Sequence, residues 1–259
     1  MKRTSTLLLA CFLVALPLVV LLLWTVATQW LYPALIPQQF GGKVLGQMLQ
    51  EPNFWPAVLN SFVIALATTV VTLLIAMPAC KVLASQHFIS QQLLTFMIYL
   101  PFILPAIAIV TSTQILFIQW HLTGTFTGII LSHTYFTLPY AMQIILESYR
   151  KMGQGYALTA KSLGAKPWQI LKTITWPLMA PGIATAAGLT FIVSLSQYLP
   201  TFFIGGGKIM TLPLILLPYA NNGRFNLASA YSLVFLLVTM IGVLLLKQLI
   251  GGRHHGARN

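Results

Sequence analysis

Long apolar runs without charge dominate the pattern of this chain. The hydrocarbon core of a bilayer is about 30 Å thick and takes about 20 helical residues to cross. Six uncharged runs of roughly that length or more occupy residues 7–31, 57–80, 93–120, 128–146, 178–204 and 227–246. They are apolar on every face and too long for tilted β-strands, which argues against a barrel. The predicted fold class is therefore all-α: a polytopic membrane protein with about six transmembrane helices.

The positions of the basic residues predict how these spans are oriented. Lys and Arg are enriched in the cytoplasmic loops of membrane proteins. If the chain has six spans and a cytoplasmic N-terminus, most of its 14 Lys and Arg residues face the cytoplasm. The cytoplasmic set is Lys2, Arg3, Lys81, Arg150, Lys151, Lys161, Lys166, Lys172, Lys247, Arg253 and Arg258, and the outer set is Lys43, Lys208 and Arg224. Both termini of this multi-pass protein are thus predicted on the cytoplasmic side of a cell inner membrane.

Composition excludes a water-soluble globule. Hydrophobic residues make up 58% of the 259 positions and charged residues only 6%, which leaves too few polar groups to coat a soluble surface. The net charge of +12 fits basic loops beside anionic membrane lipid and does not call for nucleic acid as a partner. The first run is about twice as long as the apolar part of a signal peptide, so we expect a retained anchor.

Residues 150–176, the longest cytoplasmic segment, predict a helix-turn-helix. The first stretch has apolar residues at helical spacing, and the second begins at Pro167, which suits the first position of a helix. We expect Gly164, between them, to permit a break and a close approach of the two helices. We expect Trp176 and Pro177 to close the second helix. The shared faces are Tyr156, Ala157, Ala160 and Leu163 in the first helix, and Trp168, Leu171 and Ile174 in the second.

This basic segment has two interpretations from its residues. Lys161, Lys166 and Lys172 would be exposed on a loop at the membrane surface, and many such loops serve only as anchors on anionic lipid. The same pair of helices could instead dock a cytosolic protein. Composition alone leaves both alternatives open.

The detailed residues of the segment form a recognisable pattern. The run is Leu158-Thr159-Ala160-Lys161-Ser162-Leu163-Gly164-Ala165-Lys166-Pro167-Trp168, followed by Trp176-Pro177-Leu178 and Pro181-Gly182-Ile183. It resembles the EAA loop of binding-protein-dependent ABC importer permeases: Glu-Ala-Ala, three residues, Gly, a second short helix and a Leu-Pro step into the next span. Leu158 stands in place of the family's Glu and Thr159 in place of its first Ala. The resemblance implies an ATPase-coupling loop that includes Leu158, Thr159, Ala160, Lys161, Gly164, Lys166 and Pro167.

Further landmarks of that family follow in order from about residue 60 to about residue 250. They are Asn60-Ser61, Pro78, Leu100-Pro101, Leu104-Pro105, Gly124-Thr125, Leu138-Pro139-Tyr140, Ser194-Leu195-Ser196-Gln197, Gly205-Gly206-Gly207 and Thr211-Leu212-Pro213. The likeness is greatest to permeases for polyamines, ferric iron, thiamine, sulfate or phosphonates. It implies one transmembrane permease domain over residues 1–259, with a peripheral first span and external loop at 1–56, a permease core at 57–250 and the coupling loop at 150–176.

The resemblance also implies a function and a set of partners. A permease of this kind forms the solute pathway across the membrane and receives force from a separate ABC-type ATPase dimer. A second permease subunit, the same or homologous, completes the pathway, and an extracytoplasmic solute-binding protein delivers the solute. The solute itself is not implied.

Residues for chemistry within the chain are scarce. There is no Asp, and the only carboxylates are Glu51 and Glu147, so no carboxylate pair for acid–base catalysis is available. Glu147 is expected to form a surface ion pair with Arg150 or Lys151. The histidines lack the spacing of metal ligands, and we predict no enzyme activity, no cofactor and no metal. We also expect no ionisable residue inside a span, which disfavours a proton or sodium relay.

Uncharged polar residues in the predicted spans are the candidates for a solute pathway. Such residues often only hydrogen-bond between neighbouring helices. Gln197 is the strongest candidate, because the resemblance places it near an outer gate before a glycine-rich hinge. The candidates are Asn60, Ser61, Gln114, Ser194 and Gln197.

Two other functions remain open from the sequence. One is a self-sufficient channel or secondary transporter, which would conduct alone. The other is a non-transporting membrane scaffold whose basic loop docks a cytosolic protein. An importer permease, in contrast, should copurify with an ATPase and a second permease.

Overall fold

The computed structural model describes residues 2–31, 33–85, 91–153 and 155–251. Helices account for about four fifths of them, as the apolar runs predict. The first helices are α1 (Lys2–Val26), α2 (Lys43–Gln50), α3 (Phe54–Ser85), α4 (Gln91–Ile103), α5 (Ala106–Gln119) and α6 (Phe126–Met152). They are followed by α7 (Gly155–Ser162), α8 (Pro167–Ile170), a π-helical turn (Leu171–Thr175), α9 (Trp176–Leu195), α10 (Leu199–Gly205), α11 (Leu212–Asn221) and α12 (Phe225–Gly251). Strands β1 (Ala27–Gln29) and β2 (Gln39–Phe40) pair antiparallel after α1.

The chain forms two compact units. The first has the bounds Met1–Ser61 and Met210–Val238, and the second has the bounds Phe62–Ile209 and Thr239–Asn259. Helices α3 and α12 contribute residues to both units. In the first unit, aromatic rings pack around α12, where Tyr231 contacts Phe54 and Tyr219 at centroid distances of 5.9 and 5.6 Å.

The all-α, polytopic class is confirmed, but the count of six spans is not. Among the described residues, four helices are long and apolar enough to cross a membrane: Phe54–Ser85, Phe126–Met152, Pro167–Leu195 and Phe225–Gly251. A fifth span results if the pair α4 and α5 counts as one. The first predicted run contributes a shorter apolar helix, Ala15–Val26.

The single span predicted over residues 93–120 is broken in the structure. The axes of α4 and α5 differ by 105° at the break. Pro105 explains the bend, because it has no amide hydrogen to continue the helix and forces Leu104 out of the helical conformation. The Pro105 ψ angle of 127° is that of extended backbone.

Two apolar clusters show how α4 and α5 run along α6. One cluster, which includes Cys80, Leu83 and Tyr149, packs against Ile98 of α4. The other joins Phe117 of α5 to Ile129 and Ile204, among others. Since α6 contributes Tyr149 to the first cluster and Ile129 to the second, the pair runs from one end of α6 to the other. This course along α6 fits one broken span.

Helix α9 differs from the predicted span 178–204 at both ends. Its helical path starts at Pro167 and continues through the π-helical turn, in which the Trp176 amide donates to the Leu171 carbonyl. Pro177 was expected to close the second short helix, which is wrong: it lies in the first turn of α9. The π-helical turn immediately before it shifts the hydrogen-bond pattern to five-residue spacing, so the path does not end there. At the other end α9 stops at Leu195, and α10 is a separate helix.

Helices α6 and α9 form the closest pair in the second unit. Gly182 of α9 lies directly against the side chain of Ser148 of α6, where a β-carbon would collide. Small residues let membrane helices approach closely without a hydrophobic driving force between them. Both candidate sites lie at this pair of helices.

Candidate functional site

A helix break between α9 and α10 creates the first candidate site. Ser196 to Tyr198 connect the two helices, and Pro200 lies in the first turn of α10. The other end of α10 is fixed by the Gly124 amide, which donates to the Ile204 carbonyl at 2.7 Å. α10 therefore lies at the α5–α6 turn, on the end of the second unit that also carries Lys208, whose side chain contacts Gly124.

A buried histidine joins α10 to the helices around it. His133 of α6 is 2% exposed. Its Nδ1 atom is 3.0 Å from Ser194 Oγ of α9, and its Nε2 atom is 2.9 Å from Thr201 Oγ1 of α10. Neutral imidazole donates from one ring nitrogen and accepts at the other, so a single tautomer satisfies both bonds. Gln197 completes the arrangement by donating from Nε2 to the His133 carbonyl at 3.3 Å.

Further polar contacts extend this group, which we call the His133 network. Thr137 donates to the His133 carbonyl at 3.0 Å, and its hydroxyl lies 2.9 Å from that of Thr72 in α3. Gln114 of α5 donates to the Phe203 carbonyl of α10 at 2.9 Å. α10 is thus held by hydrogen bonds to α5 and α6, and through His133 to α9.

The expectation that no ionisable residue lies inside a span is wrong, because His133 lies within α6, about two turns from its start. The spacing of the histidines tests only for metal ligands and does not reveal this residue. The available signal was its position inside an uncharged apolar run, where ionisable residues are rare and functional. His87, His254 and His255 lie outside the described residues. Within the described part of the chain, no group of three His, Cys, Asp or Glu side chains could hold a metal ion.

An aromatic cavity of about 280 Å³ adjoins the two helix breaks. Phe102 and Tyr140 meet edge to face at a centroid distance of 4.8 Å and line it with Phe136, Gln197 and Tyr198. None of its lining residues is charged. The cavity therefore offers aromatic faces, hydroxyl groups and one amide to a small polar molecule.

The five predicted pathway residues fall into two groups. Gln114, Ser194 and Gln197 come together around α10, as the contacts above describe. Asn60 and Ser61 belong to the first unit, where Asn60 Nδ2 donates to the Met210 carbonyl at 2.9 Å and Ser61 Oγ accepts the Leu212 amide at 2.8 Å. These two side chains hold the segment that leads into α11. Their hydrogen bonds therefore match the alternative role for such residues, which is to bond neighbouring helices together.

The second candidate site is the segment between α6 and α9, where the two predicted short helices are confirmed by α7 and α8. The Gly164 amide donates to the Lys161 carbonyl and the Ala165 amide to the Ala160 carbonyl, both at 3.0 Å. These bonds form a Schellman motif, which requires a left-handed residue at Gly164. Its φ angle is +81°, and a β-carbon there would have no neighbour within 4 Å. The expected close approach is therefore not the reason for glycine; the backbone conformation is.

The second short helix begins as the sequence predicts. Pro167 occupies its first turn, and the Lys166 amide donates to Gln169 Oε1 at 2.8 Å. Thr159 bonds only its own helix, through the Gly155 carbonyl at 3.0 Å. Neither α7 nor α8 has a buried residue, so both helices stand away from the packed body.

Helix α7 has two apolar faces where one was predicted. Tyr156, Ala160 and Leu163 line an outer groove together with Ile174. Leu158 lies on the other face, with Ala157 and Lys161, and lines a cavity against α3 and α6. Leu163 is 83% exposed and Trp168 69%. A cluster of large exposed apolar side chains of this kind marks a contact surface.

The charged residues at this end carry one ion pair among the described residues. Glu147 Oε1 is 3.6 Å from Lys151 Nζ, and both side chains are largely exposed. The surface ion pair predicted for Glu147 is therefore confirmed, with Lys151 as its partner.

Comparison with known proteins shows which family has this sequence and fold. The family described as "Binding-protein-dependent transport system inner membrane component" matches residues 78–251. The Fe(3+)-transport system permease protein FbpB 2 of Haemophilus influenzae is 27% identical over 201 residues, which cover 76% of this chain and 39% of that protein. The putative 2-aminoethylphosphonate transport system permease protein PhnV of Salmonella typhimurium is 24% identical over 236 residues, covering 90% and 88%. The chain thus spans about two fifths of the first relative and most of the second.

A solved structure has the same fold. It belongs to a bacterial ABC transporter involved in the import of the acidic polysaccharide alginate, and it superposes with a TM-score of 0.67 at 16% identity, covering 98% of this chain and 95% of that one. The resemblance found in the loop and the landmarks is confirmed by the family match, which covers more than half of the chain. The chain belongs to the family of binding-protein-dependent transport system inner membrane components, the membrane permease subunits of ABC importers.

Proposed function

We propose that this chain forms part of a solute pathway and is driven by a separate ATPase dimer that docks on the segment 150–176. The observation that carries the proposal is the shape of that segment. Its two short helices stand away from the body with exposed apolar side chains, yet α8 continues into α9 without a break in the helical path. A partner that moves this segment must therefore move α9 with it.

The contact with the ATPase is assigned to α7 and the turn after it. Thr159 and Ala160 lie on the outer face of α7, and Gly164 forms the turn. Leu158 and Lys161 lie on the inner face of the helix and belong to the segment without facing the groove. Lys166 and Pro167 start the second helix. Ala160 lines the outer groove, where its small side chain leaves room for a partner. The Schellman motif fixes the angle between the two short helices, so force passes through them as a rigid body.

The His133 network is the proposed link from α9 to the outer gate. Ser194 near the end of α9 and Thr201 in α10 bond the same imidazole ring. A displacement of α9 is transmitted to α10 through these bonds, beside the aromatic cavity that contains Gln197 and Tyr198. Gln114, Ser194 and Gln197 thereby remain pathway candidates as a group, whereas Asn60 and Ser61 are assigned a structural role.

The remaining parts of the system follow from this assignment. The permease core at 57–250 pairs with a second permease subunit, the same or homologous, to close the pathway. A solute-binding protein approaches from the outer side, and both termini lie in the cytoplasm. Lys81, Arg150 and Lys161 support this orientation, since they lie around one cavity, whereas Lys208 lies at the opposite end of α6.

The orientation predicts the outcome of reporter fusions. At Lys166, a reporter that works only in the cytoplasm should be active. At Thr123 and Gly207, a reporter that works only on the outer side should be active. The Thr123 fusion is the sharpest, because it lies directly after the bent pair α4 and α5. A cytoplasmic signal at Thr123 together with an outer signal at Lys166 would reverse the proposed orientation.

The coupling assignment predicts opposite results for two substitutions of Gly164. Gly164→Leu places a bulky residue at φ +81°, which costs about 1–2 kcal/mol and should lower ATPase copurification about tenfold at equal membrane levels. Gly164→Asn is the matched control, because Asn tolerates the left-handed conformation, and it should retain the ATPase. The measurement is the amount of ATPase bound per permease in the purified complex. Normal ATPase binding in Gly164→Leu would contradict the assignment.

The His133 network predicts that the hydrogen bonds of this side chain, and not its ability to titrate, are what the protein requires. His133→Phe leaves the Ser194 and Thr201 hydroxyls without this partner, so it should lower the thermal midpoint of the solubilised protein by the equivalent of about 1–2 kcal/mol. It should also reduce ATP hydrolysis stimulated by the solute-binding protein, with ATPase copurification unchanged. His133→Gln keeps a donor and an acceptor and should retain most of both properties.

The same variants test the alternative of a self-sufficient secondary transporter. A proton relay requires a titrating group, which His133→Gln removes. If the chain reconstituted alone accumulates solute in response to a proton gradient, and His133→Gln abolishes this accumulation, the importer proposal is wrong.

A further inference from the structure

A cavity of about 730 Å³ lies beneath α7 at the end of the second unit that carries the basic residues. It is bordered by the ends of α3 and α6, by α7 and α8, and by the π-helical turn. Lys81, Arg150 and Lys161 line it, one from each of three helices. Three basic residues at the border of one space favour an anionic occupant.

No carboxylate of this chain lies among the residues that line the cavity. The full sequence has only two, Glu51 and Glu147. Glu51 belongs to the first unit, and Glu147 forms its exposed pair with Lys151 outside the cavity. Leu158 lines the cavity at the position where the family pattern has Glu. The charge that balances the three cations must therefore come from another molecule.

Most of the remaining lining is apolar, and Ser85, Tyr149 and Thr175 add hydroxyl groups. Ala84, Met152, Leu158, Ile170 and Leu171 form walls from five different elements. A free inorganic anion would gain nothing from these walls, whereas a molecule with a hydrocarbon part would bury it there. The volume is within the range of roughly 300–1,000 Å³ that is usual for small-molecule sites.

The cavity also lies where a phospholipid headgroup would be. Helices α3, α6 and α9 are among the apolar helices long enough to cross a membrane, and their ends or approaches border it. Trp168 and Trp176, both exposed, flank the π-helical turn, and Trp side chains favour the membrane–water interface.

We propose that this cavity is a binding site for one anionic phospholipid of the cytoplasmic leaflet. The phosphate lies among Lys81, Arg150 and Lys161, and the upper part of an acyl chain lies along Met152, Leu158 and the neighbouring apolar walls. The outer groove of α7 stays free for the ATPase, because it is on the other face of the helix. A bound lipid thus supports α7 from the membrane side while the partner contacts it from the cytoplasm.

The site is tested by lipid retention on the purified full-length chain, without the ATPase, so the result does not depend on the proposed coupling function. Native mass spectrometry would follow release of protein from mixed micelles that contain phosphatidylglycerol and phosphatidylethanolamine. We expect the wild type to retain one phosphatidylglycerol. Arg150→Gln and Lys81→Gln should each weaken retention about fivefold. Lys151→Gln is the matched control, because it removes one positive charge from the adjacent residue, which does not line the cavity, and should retain the lipid normally.

A second variant keeps the test decisive if the charge removals reduce folding. Leu158→Glu adds a carboxylate within the cavity, next to the three cations, and should displace phosphatidylglycerol while the thermal midpoint stays at or above that of the wild type. Equal retention in the wild type, Arg150→Gln and Leu158→Glu would overturn the proposal. So would equal retention of phosphatidylethanolamine, or complete displacement by millimolar inorganic phosphate, which would identify a site for a free anion.

Discussion

The hydrocarbon phase imposes the constraint on which this structure depends: a backbone that leaves the helical conformation there must find its hydrogen-bond partners within the protein. Helix α9 ends at Leu195, and the chain turns into α10 beside α6. His133 lies about two helical turns, or about 10 Å, from the start of α6. The imidazole, the Gln197 amide and the Thr201 hydroxyl supply the polar contacts that make this break tolerable.

The same constraint supports the proposed transmission of force through the molecule. A break satisfied by several specific hydrogen bonds has few alternative arrangements, so α10 is tied to the helices that hold it. At the other end, the path from α8 through the π-helical turn into α9 gives the exposed segment a direct mechanical connection to the span. The proposed coupling segment and the proposed gate are therefore the two ends of one helix, with the α6–α9 contact at Gly182 between them.

The lipid cavity adds a chemical element to this arrangement. The chain has two carboxylates against 14 Lys and Arg residues, so its basic groups depend on other molecules for charge balance. Where Leu158 replaces a family Glu, the proposed lipid headgroup would supply the negative charge. The proposed anionic lipid then explains both the Leu at position 158 and the excess of basic residues.

The sequence predicted the helical class, the two short helices and the position of their turn, because long apolar runs, Pro167 and Gly164 act through local physics. It did not predict the break between α4 and α5 or the separation of α10, since Pro105 and the Ser196 segment sit inside uninterrupted apolar runs. The position of His133 in an apolar run was a signal of its importance, but its partners, Ser194 and Thr201, lie more than 60 residues away and could not be predicted. Periodicity assigned one apolar face to α7, and only packing against α3 and α6 revealed the second.

The central claim, that a separate ATPase acts on this segment, is tested most directly by photocrosslinking in the native membrane. A photoreactive amino acid at Leu163, which is 83% exposed beside the outer groove, should form a covalent product with an ABC-type ATPase, and ATP should change its yield. The same probe at Leu74, an exposed apolar position within α3, should give no such product. If Leu163 crosslinks only to lipid while the protein remains active in uptake, the account is contradicted.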